Sequence, residues 1–257
     1  MNNDTNQLRA DTTNEICTTL PASNESLNSP ENAANKGRSG GQKIVELSVL
    51  LANARSLAPK IKSLIEYFEE YCLQIAIITE SWLKYGDALD EAKSDLEMGE
   101  NISIIHRNRL SKRGRTAGGG VLIAYDRSKM NLKEMTIRRG QSEIVCATGK
   151  MRGLSRKIVV MSVYLPPKLS VTKAKESLTF VSDAVGRIKD ELSDPIFIIG
   201  GDFNKFDLTD FMCDFPDIKV LDSPPTRQEE RLDLILSNVP VEAEHTVQLL
   251  YARLMTS

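Results

Sequence analysis

Long apolar runs and closely spaced cysteines are both missing from this chain of 257 residues. No apolar stretch is long enough to span a bilayer, and the N-terminus lacks the basic and then apolar layout of a signal peptide. We therefore expect a nuclear or cytoplasmic protein that is neither secreted nor held in a membrane. The 4 cysteines lie far apart and at no metal-ligand spacing, which indicates reduced thiols: Cys17, Cys72, Cys146 and Cys213.

An excess of charge of either sign is also absent. The formal net charge is -2, so the composition as a whole gives no sign of nucleic-acid binding, and any basic surface must be local. The hydrophobic fraction of 41% and the charged fraction of 26% are typical of a globular protein. The length allows one sizeable core or two small ones.

Residues 1–42 differ in composition from the rest of the chain. They are rich in Asn, Thr, Ser and Glu and contain few apolar residues. Such a segment cannot bury enough apolar surface to offset the entropy lost on ordering, so we expect a disordered tail. We assign residues 43–257 to one folded domain.

The folded part opens with a strand-helix-strand pattern. Residues 44–52 are predicted as a strand, a helix capped by Ser56 follows, and residues 75–79 form a second apolar strand. Two strands joined in this way are expected to be parallel neighbours. Residues 81–100 are polar, and we expect them to be irregular.

The remainder alternates short strands with two helices. Gly, Asn, Ser and Arg separate five strand candidates, which suggests antiparallel hairpins: residues 102–106, 120–126, 131–138, 143–150 and 157–164. An amphipathic helix from Val171 to Leu192 leads into the apolar strand that bears Asp202. A helix near 208–213 and strands near 218–221 and 232–236 follow. This order predicts an α/β fold with two mixed sheets packed face to face.

Polar side chains stand at the ends of several apolar strands. Asn53 and Glu80 follow the first two strands, Asp202 and Asn204 follow a later one, and Asp233 begins another. Such ends collect at one edge of a sheet, where α/β proteins place ligands. A carboxylate and an amide there suit a Mg²⁺ ion that keeps several waters. The alternative for each residue is a turn or a helix cap.

Two glycines and a tyrosine adjoin these polar groups. Gly200 and Gly201 precede Asp202, and we expect them to let another group, such as a phosphate, approach the backbone. Asp202 and Asn204 can converge on one point if the strand persists, or they can form an Asx turn. Tyr164 ends a strand, and its hydroxyl either lies in water or binds a phosphate oxygen.

A dense basic run precedes three consecutive glycines at 118–120. It is either a solvated loop or, beside a metal site, a grip on backbone phosphates that carries little sequence information. Its members are Arg107, Arg109, Lys112, Arg113 and Arg115. Trp82, the only tryptophan, follows Glu80 closely, and we expect it to be a packing residue rather than a base-stacking platform.

These motifs make the chain resemble the endonuclease/exonuclease/phosphatase superfamily. More narrowly, it is similar to the apurinic-like endonuclease domain of non-LTR (LINE-type) retrotransposons. The segments that carry the resemblance occur in the family's order: 53–57 (NARSL), 78–83 (ITESWL), 118–123 (GGGVLI), 163–167 (VYLPP), 201–204 (GDFN) and 231–235 (RLDLI).

The resemblance implies a four-layer α/β sandwich, in which helices flank two packed mixed β-sheets. It also implies hydrolysis of phosphodiester bonds with Mg²⁺ or Mn²⁺ as cofactor. On the matching positions, Glu80 would be the principal metal ligand, Asn53 would help to hold the metal or its water, and Asp202 would orient or deprotonate the attacking water. The implied partners are DNA and a reverse transcriptase encoded by the parent element, with no membrane.

The resemblance assigns three further residues, and the last of them marks a departure from the family. Asn204 would bind the scissile phosphate, Tyr164 would steady the phosphate or the leaving oxygen, and Asp233 would orient a histidine. The family's closing Ser-Asp-His motif is absent from this chain. His106 comes too early in the order, and His245 follows Asp233 at a much shorter separation than is typical of the family.

We therefore expect a C-terminally truncated domain that lacks its last strand, which would leave an unpaired sheet edge. Three hypotheses on function remain open: an active DNA endonuclease, an inactive remnant that retains metal or nucleic-acid binding, and a phosphatase of inositol phosphates or lipids. The amino-acid sequences of segments 53–57 and 78–83 favour the retroelement branch over the phosphatase.

Overall fold

The computed structural model describes residues 16–19, 47–83, 86–109, 118–137, 143–167, 169–221, 232–239 and 242–244. The strands are β1 (Ile16–Thr19), β2 (Val49–Asn53), β3 (Ile75–Thr79), β4 (Ile102–Arg107), β5 (Val121–Asp126), β6 (Met130–Met135), β7 (Glu143–Met151), β8 (Lys157–Tyr164), β9 (Ile196–Asp202), β10 (Lys219–Val220), β11 (Asp233–Ser237) and β12 (Glu242–Glu244). The helices are α1 (Ile61–Glu70), α2 (Asp87–Glu100), α3 (Val171–Glu191) and α4 (Thr209–Asp214), and a 3-10 turn (Ala58–Lys60) precedes α1.

Two six-stranded sheets form the centre of the fold. The first has the strand order β12-β1-β2-β3-β5-β4, and the second has the order β10-β11-β9-β8-β7-β6. Each sheet contains one parallel pair connected through a helix, β2 with β3 through α1 and β8 with β9 through α3. The other pairings are antiparallel. These are the mixed sheets that the sequence predicted.

Apolar residues fill three layers of core. One layer lies between the two sheets and contains residues such as Leu51 and Ile77 from the first sheet and Val160 and Ile198 from the second. A second layer packs α1 and α2 against the first sheet, and a third packs α3 and α4 against the second. Because the central strands are buried on both faces, their sequences read as continuous apolar runs. The predicted α/β sandwich with outer helices is confirmed.

Helix α2 corrects the expectation that residues 81–100 are irregular. The chain is helical from Asp87 to Glu100. Leu89, Ala92 and Leu96 are its buried apolar residues among those whose side chains are described. A stripe of so few apolar residues is too narrow to stand out as a helical period in a polar sequence.

Ser56 is not the helix cap that we expected. Its backbone adopts φ +94, and its N–H donates to Glu80 O at 3.0 Å. The 3-10 turn and α1 both begin without a side-chain cap. Ser56 therefore ties the segment after β2 to the segment after β3 instead of starting a helix.

Ile16–Thr19 lie within the segment that we expected to be a disordered tail. These residues form β1, which pairs antiparallel with β2 on one side and with β12 on the other. β1 therefore covers the outer edge of β2. The rest of the tail and His245 lie outside the described residues, and the loss of a last family strand stays a prediction.

Within the described part of the chain, no helix combines the length and the apolar character that a bilayer crossing requires.

A buried polar pair joins β4 to the segment that follows β3. Ser81 Oγ lies 3.0 Å from His106 Nε2. Ser81 is fully buried, and His106 is 9% exposed. Burial lowers the pKa of His106 to about 4, and the positive charge of Lys93 acts in the same direction. His106 is therefore neutral at pH 7.

We predict that the burial of His106 makes the protein less stable as the pH falls from about 6.5 to about 4. In this window the unfolded chain binds a proton that the native histidine does not accept, so acid favours unfolding. The loss should be on the order of 3 kcal/mol. Urea unfolding at pH 7 and pH 4 should show this loss in the parent and a smaller one in His106→Gln. Identical pH profiles for the two proteins would contradict the assignment.

Two glycines offer a matched test of backbone packing. A Cβ on Gly201, in β9, would lie 1.8 Å from the carbonyl oxygen of Val163. A Cβ on Gly186, inside α3, would meet nothing closer than the Phe215 ring at 4.0 Å. Gly201→Ala should lower the free energy of unfolding by about 3 kcal/mol or more. Gly186→Ala should raise it by about 0.5–1 kcal/mol, because alanine is the better helix former. Denaturation midpoints that move in the same direction would contradict this packing.

Candidate functional site

The parallel strand pairs of both sheets end at one edge of the sandwich. In the first sheet, Asn53 at the end of β2 lies in register with Thr79, and Glu80 follows directly. In the second sheet, Tyr164 at the end of β8 lies in register with Asp202 at the end of β9. The two sets of strand ends therefore deliver polar side chains to a common edge.

Antiparallel neighbours begin at the same edge. Asp233, the first residue of β11, pairs with Asp202. Glu143, the first residue of β7, pairs with Tyr164. Gly120 directly precedes β5, whose first residue pairs with the last residue of β3. The topology thus adds two more carboxylates and a glycine segment to the edge.

Backbone hydrogen bonds hold the loops at this edge together. The N–H groups of residues 54, 56 and 57 donate to the carbonyls of residues 79–81 over 2.8–3.0 Å. Those of residues 81 and 82 donate to the carbonyls of residues 119–120 over the same distances. Glu80 lies between these contacts with φ +50. A non-glycine residue in this region costs about 1–3 kcal/mol, and such residues cluster at functional sites. The surrounding bonds hold Glu80 in this conformation.

Asp202 is held by amides on both sides. Asn53 Nδ2 donates to its Oδ2 at 3.4 Å, which joins the first sheet to the second. The backbone N–H of Asn204 donates to its Oδ1 at 3.0 Å, which is the Asx-type contact considered above. The Asn204 side chain donates to Leu165 O at 2.6 Å. Asp202 is buried, so these contacts fix its orientation.

Tyr164 links Glu80 to the basic run. Its hydroxyl donates to Glu80 Oε1 at 3.0 Å, and Arg109 Cζ lies 5.5 Å from the centre of its ring. Burial raises the pKa of Tyr164 well above its ordinary value, and the negative charge of Glu80 raises it further. The hydroxyl therefore acts as a hydrogen-bond donor at neutral pH and not as a base.

Glu143 is a site residue that the sequence analysis missed. Its side chain is 3% exposed and accepts hydrogen bonds from Arg109 Nε and from the Gly120 backbone N–H. Burial raises the pKa of Glu143, while Arg109 and the Gly120 N–H oppose that change by favouring the carboxylate. Burial by itself lowers the pKa of Arg109. The hydrogen bond and the negative charge of Glu143 outweigh that effect and raise the pKa of Arg109. Glu143 could have been found from the sequence because, like Asp233, it is an acidic residue at the start of a predicted strand.

Two arginines of the basic run form ion pairs with glutamates, and its other members lie outside the described residues. Arg107 Nε pairs with Glu134 Oε1 at 2.5 Å, which balances its charge. Arg109 pairs with Glu143 but keeps 34% of its side chain exposed at the edge. Lys112, Arg113 and Arg115 lie outside the described residues.

One expectation about this edge is wrong. Gly200 and Gly201 do not clear room for a phosphate, because the Ile77 side chain and the Val163 carbonyl already occupy the space beside them. Trp82 packs against Gly118, as a packing residue would, but it remains 45% exposed. A ligand at this edge therefore cannot lie against the two glycines, whereas it can reach the exposed part of Trp82.

The oxygen donors at the edge fit a hard divalent cation. Asn53 Oδ1 is buried and has no hydrogen-bond partner among the described residues. A buried acceptor of this kind has a place for a ligand. Glu80 offers a carboxylate near the same edge, and amide and carboxylate oxygens suit Mg²⁺. The described residues contain no cluster of three or more His, Cys, Asp or Glu able to hold a metal, so several ligands would have to be water or substrate.

Solved structures provide the comparisons. The catalytic domain of human Nocturnin with bound sulfate has a TM-score of 0.58 at 14% identity, over 75% of this chain and 81% of its own. A mannosyl-6-phosphatase of Bacteroides thetaiotaomicron gives 0.56 at 14%, over 76% and 85%. An endonuclease/exonuclease/phosphatase protein of Bacteroides vulgatus gives 0.53 at 14%, over 72% and 80%.

Comparison of the sequence with protein families and with curated proteins finds no relative: no protein-family model matches the chain, and no curated protein matches it. The similarity to solved structures therefore concerns the fold alone. The chain has the α/β sandwich fold of the endonuclease/exonuclease/phosphatase proteins.

Proposed function

We propose that this chain is a divalent-metal-dependent phosphodiesterase that nicks DNA and derives from a non-LTR retrotransposon. The observation that carries the proposal is the hydrogen bond of Asn53 to Asp202 across the two sheets, which leaves Asn53 Oδ1 buried and unpaired at the end of β2. Asn53 pairs there with Thr79, the residue before Glu80. This arrangement supplies a cation site and a fixed carboxylate at one edge. The fold is that of known hydrolases of phosphate esters, including a mannosyl-6-phosphatase.

Glu80 and Asn53 would hold the metal. When bound, Mg²⁺ or Mn²⁺ supplies positive charge that neutralises the phosphate and polarises its oxygens. Tyr164 holds the Glu80 carboxylate through its hydroxyl, and the pinned backbone around Glu80 fixes its position. The ligands are thus oriented without a contribution from the substrate.

Asp202 is the candidate for orienting the attacking water. Donors from Asn53 and Asn204 contact its two oxygens, so the carboxylate is held in one orientation at the edge. A carboxylate oxygen can accept more than one hydrogen bond, so Asp202 can also accept one from a water and take its proton. The pairing of Asp233 with Asp202 puts a second carboxylate alongside. We assign water activation to Asp202 and a supporting role to Asp233.

Phosphate binding falls to the donors at the same edge. Asn204 uses one amide hydrogen on Leu165 O, which leaves the other for a phosphate oxygen. Arg109 is partly exposed beside the Tyr164 ring and can face a phosphate while Glu143 holds it from behind. These donors would stabilise the negative charge that develops on the phosphate during in-line attack.

The proposed retrotransposon origin rests on the sequences of two motifs. Segments 53–57 and 78–83 are similar in sequence to LINE-type endonucleases. They contain Asn53 and Glu80, and their backbones are hydrogen-bonded to each other. The sequence similarity supports the retroelement branch, with DNA as substrate and a reverse transcriptase of the parent element as partner.

A binding protein without turnover is the second candidate. The sequence has 2 histidines. In the endonucleases that this chain resembles, a histidine oriented by the residue that matches Asp233 would take part in the reaction. His106 is instead buried against Ser81 on β4. Unless His245 takes that place, the chain would retain metal and nucleic-acid binding with little or no hydrolysis.

We predict Mg²⁺-dependent nicking of supercoiled plasmid, abolished by EDTA and restored by added Mg²⁺. Glu80→Gln removes the charged metal ligand but keeps the shape of the side chain, and it should lower the nicking rate about a hundredfold or more. Glu176→Gln changes an exposed acid on α3 and is the matched control, which should nick at the parent rate. Agarose gels that resolve supercoiled from open-circle plasmid provide the measurement.

The outcomes separate the candidates. Background conversion that is equal in the parent and in Glu80→Gln would reject an active nuclease. Retention of plasmid at low salt, without conversion, would then support the binding protein. Turnover of inositol phosphates or lipid phosphates without plasmid nicking would support a phosphatase on the same fold.

A further inference from the structure

Trp82 is half exposed although both of its neighbours are buried. Its side chain is 45% exposed, whereas Ser81 is fully buried and Leu83 is 2% exposed. Indole is the largest apolar side chain, and most tryptophans bury more of their surface. The two buried neighbours therefore anchor the segment while the indole is displayed at the surface.

The backbone holds Trp82 in this position. Its N–H donates to Gly119 O at 2.8 Å, and its φ is +52. A Cβ on Gly118 would lie 3.1 Å from the indole Nε1, so only a glycine leaves the ring edge comfortable room against this segment. The indole thus rests on the glycine segment while 45% of the residue remains exposed. Stacking on a ring that is already fixed loses little conformational entropy.

The indole lies beside the groups that would hold a phosphate. Trp82 is two residues from Glu80, so their Cα atoms are separated by about 7 Å or less. Arg109 packs against Gly119, next to the glycine that contacts the indole, and also faces the Tyr164 ring. A π-surface therefore adjoins the guanidinium and the metal ligands on one edge.

We propose that Trp82 stacks on an unpaired base that neighbours the phosphate to be cut. The proposal rests on the proposed function and names its substrate class, which is DNA with an unstacked or single-stranded nucleotide at the cleavage position. Inside a duplex both faces of a base are covered by its neighbours, so an indole can stack only on a base that has left the stack. Such stacking tolerates any base, because every base has a π-face.

Trp82 is the only tryptophan in the chain, so its fluorescence tests the proposal without a mutation. The parent protein is titrated, with Ca²⁺ in place of Mg²⁺ to prevent cutting, with fluorescein-labelled 12-nucleotide single-stranded DNA. A second titration uses an abasic chain of the same length and charge. Anisotropy of the label reports binding, and tryptophan emission, followed with the same two strands without the label, reports stacking. Quenching is expected with the base-bearing strand and not with the abasic chain.

Each other outcome is decisive. Binding of the base-bearing strand without quenching, or equal quenching by the abasic chain, would overturn the stacking role while leaving the proposed nuclease intact. No change in anisotropy with either strand would reject single-stranded DNA as the substrate class and the stacking proposal with it, while the plasmid assay would still decide the proposed nuclease.

Substitution of Trp82 gives a second test. Trp82→Ala should weaken binding of the base-bearing strand by roughly 5- to 150-fold and should leave binding of the abasic chain unchanged. Trp82→Phe keeps a π-face and should recover most of the loss. Val171→Ala, at a residue that is 71% exposed on α3, is the matched control and should bind as the parent does. Circular dichroism checks folding, and equal affinities in all four proteins would overturn the proposal.

Discussion

Close backbone approach at β9 is the constraint on which the site depends. A Cβ on Gly201 would overlap the Val163 carbonyl, and a Cβ on Gly200 would lie 2.8 Å from Ile77 Cδ1. These glycines therefore allow β9 to lie tightly against β8 and allow the second sheet to approach β3. Asp202 comes next in the chain, so its position relative to Tyr164 and to the first sheet follows from that packing. In the sequence Gly-Gly-Asp, the two glycines permit the close packing, and that packing positions the aspartate.

The site is organised by the protein before any ligand arrives. Asn53 contacts Asp202 across the sheets, and Tyr164 contacts Glu80 across the sheets. Glu143 holds Arg109 and the glycine segment from the other side. Preorganised donors and acceptors of this kind lose little free energy to rearrangement during a reaction. The left-handed backbone at Glu80 is the visible strain that this organisation maintains.

The sequence predicted the strands better than it predicted the site's surroundings. Buried central strands are continuous apolar runs, so their positions and the mixed sheets could be read directly. Helix α2 escaped because its apolar stripe is narrow. Glu143 and Arg109 are 34 residues apart, and only the sheet topology brings them together. The exposure of Trp82 could not be predicted from the sequence, because it depends on a backbone that a distant glycine segment holds.

The central claim is that Asn53 and Glu80 meet at one edge to hold a divalent cation. Titration of Mn²⁺ followed by electron paramagnetic resonance measures this directly, since bound Mn²⁺ loses its free-ion signal. The account predicts one Mn²⁺ per parent chain, displaced by excess Mg²⁺, and the same binding in Glu176→Gln. The double variant Asn53→Ala/Glu80→Gln should lose it. Absence of binding in the parent, or unchanged binding in the folded double variant, would contradict the account.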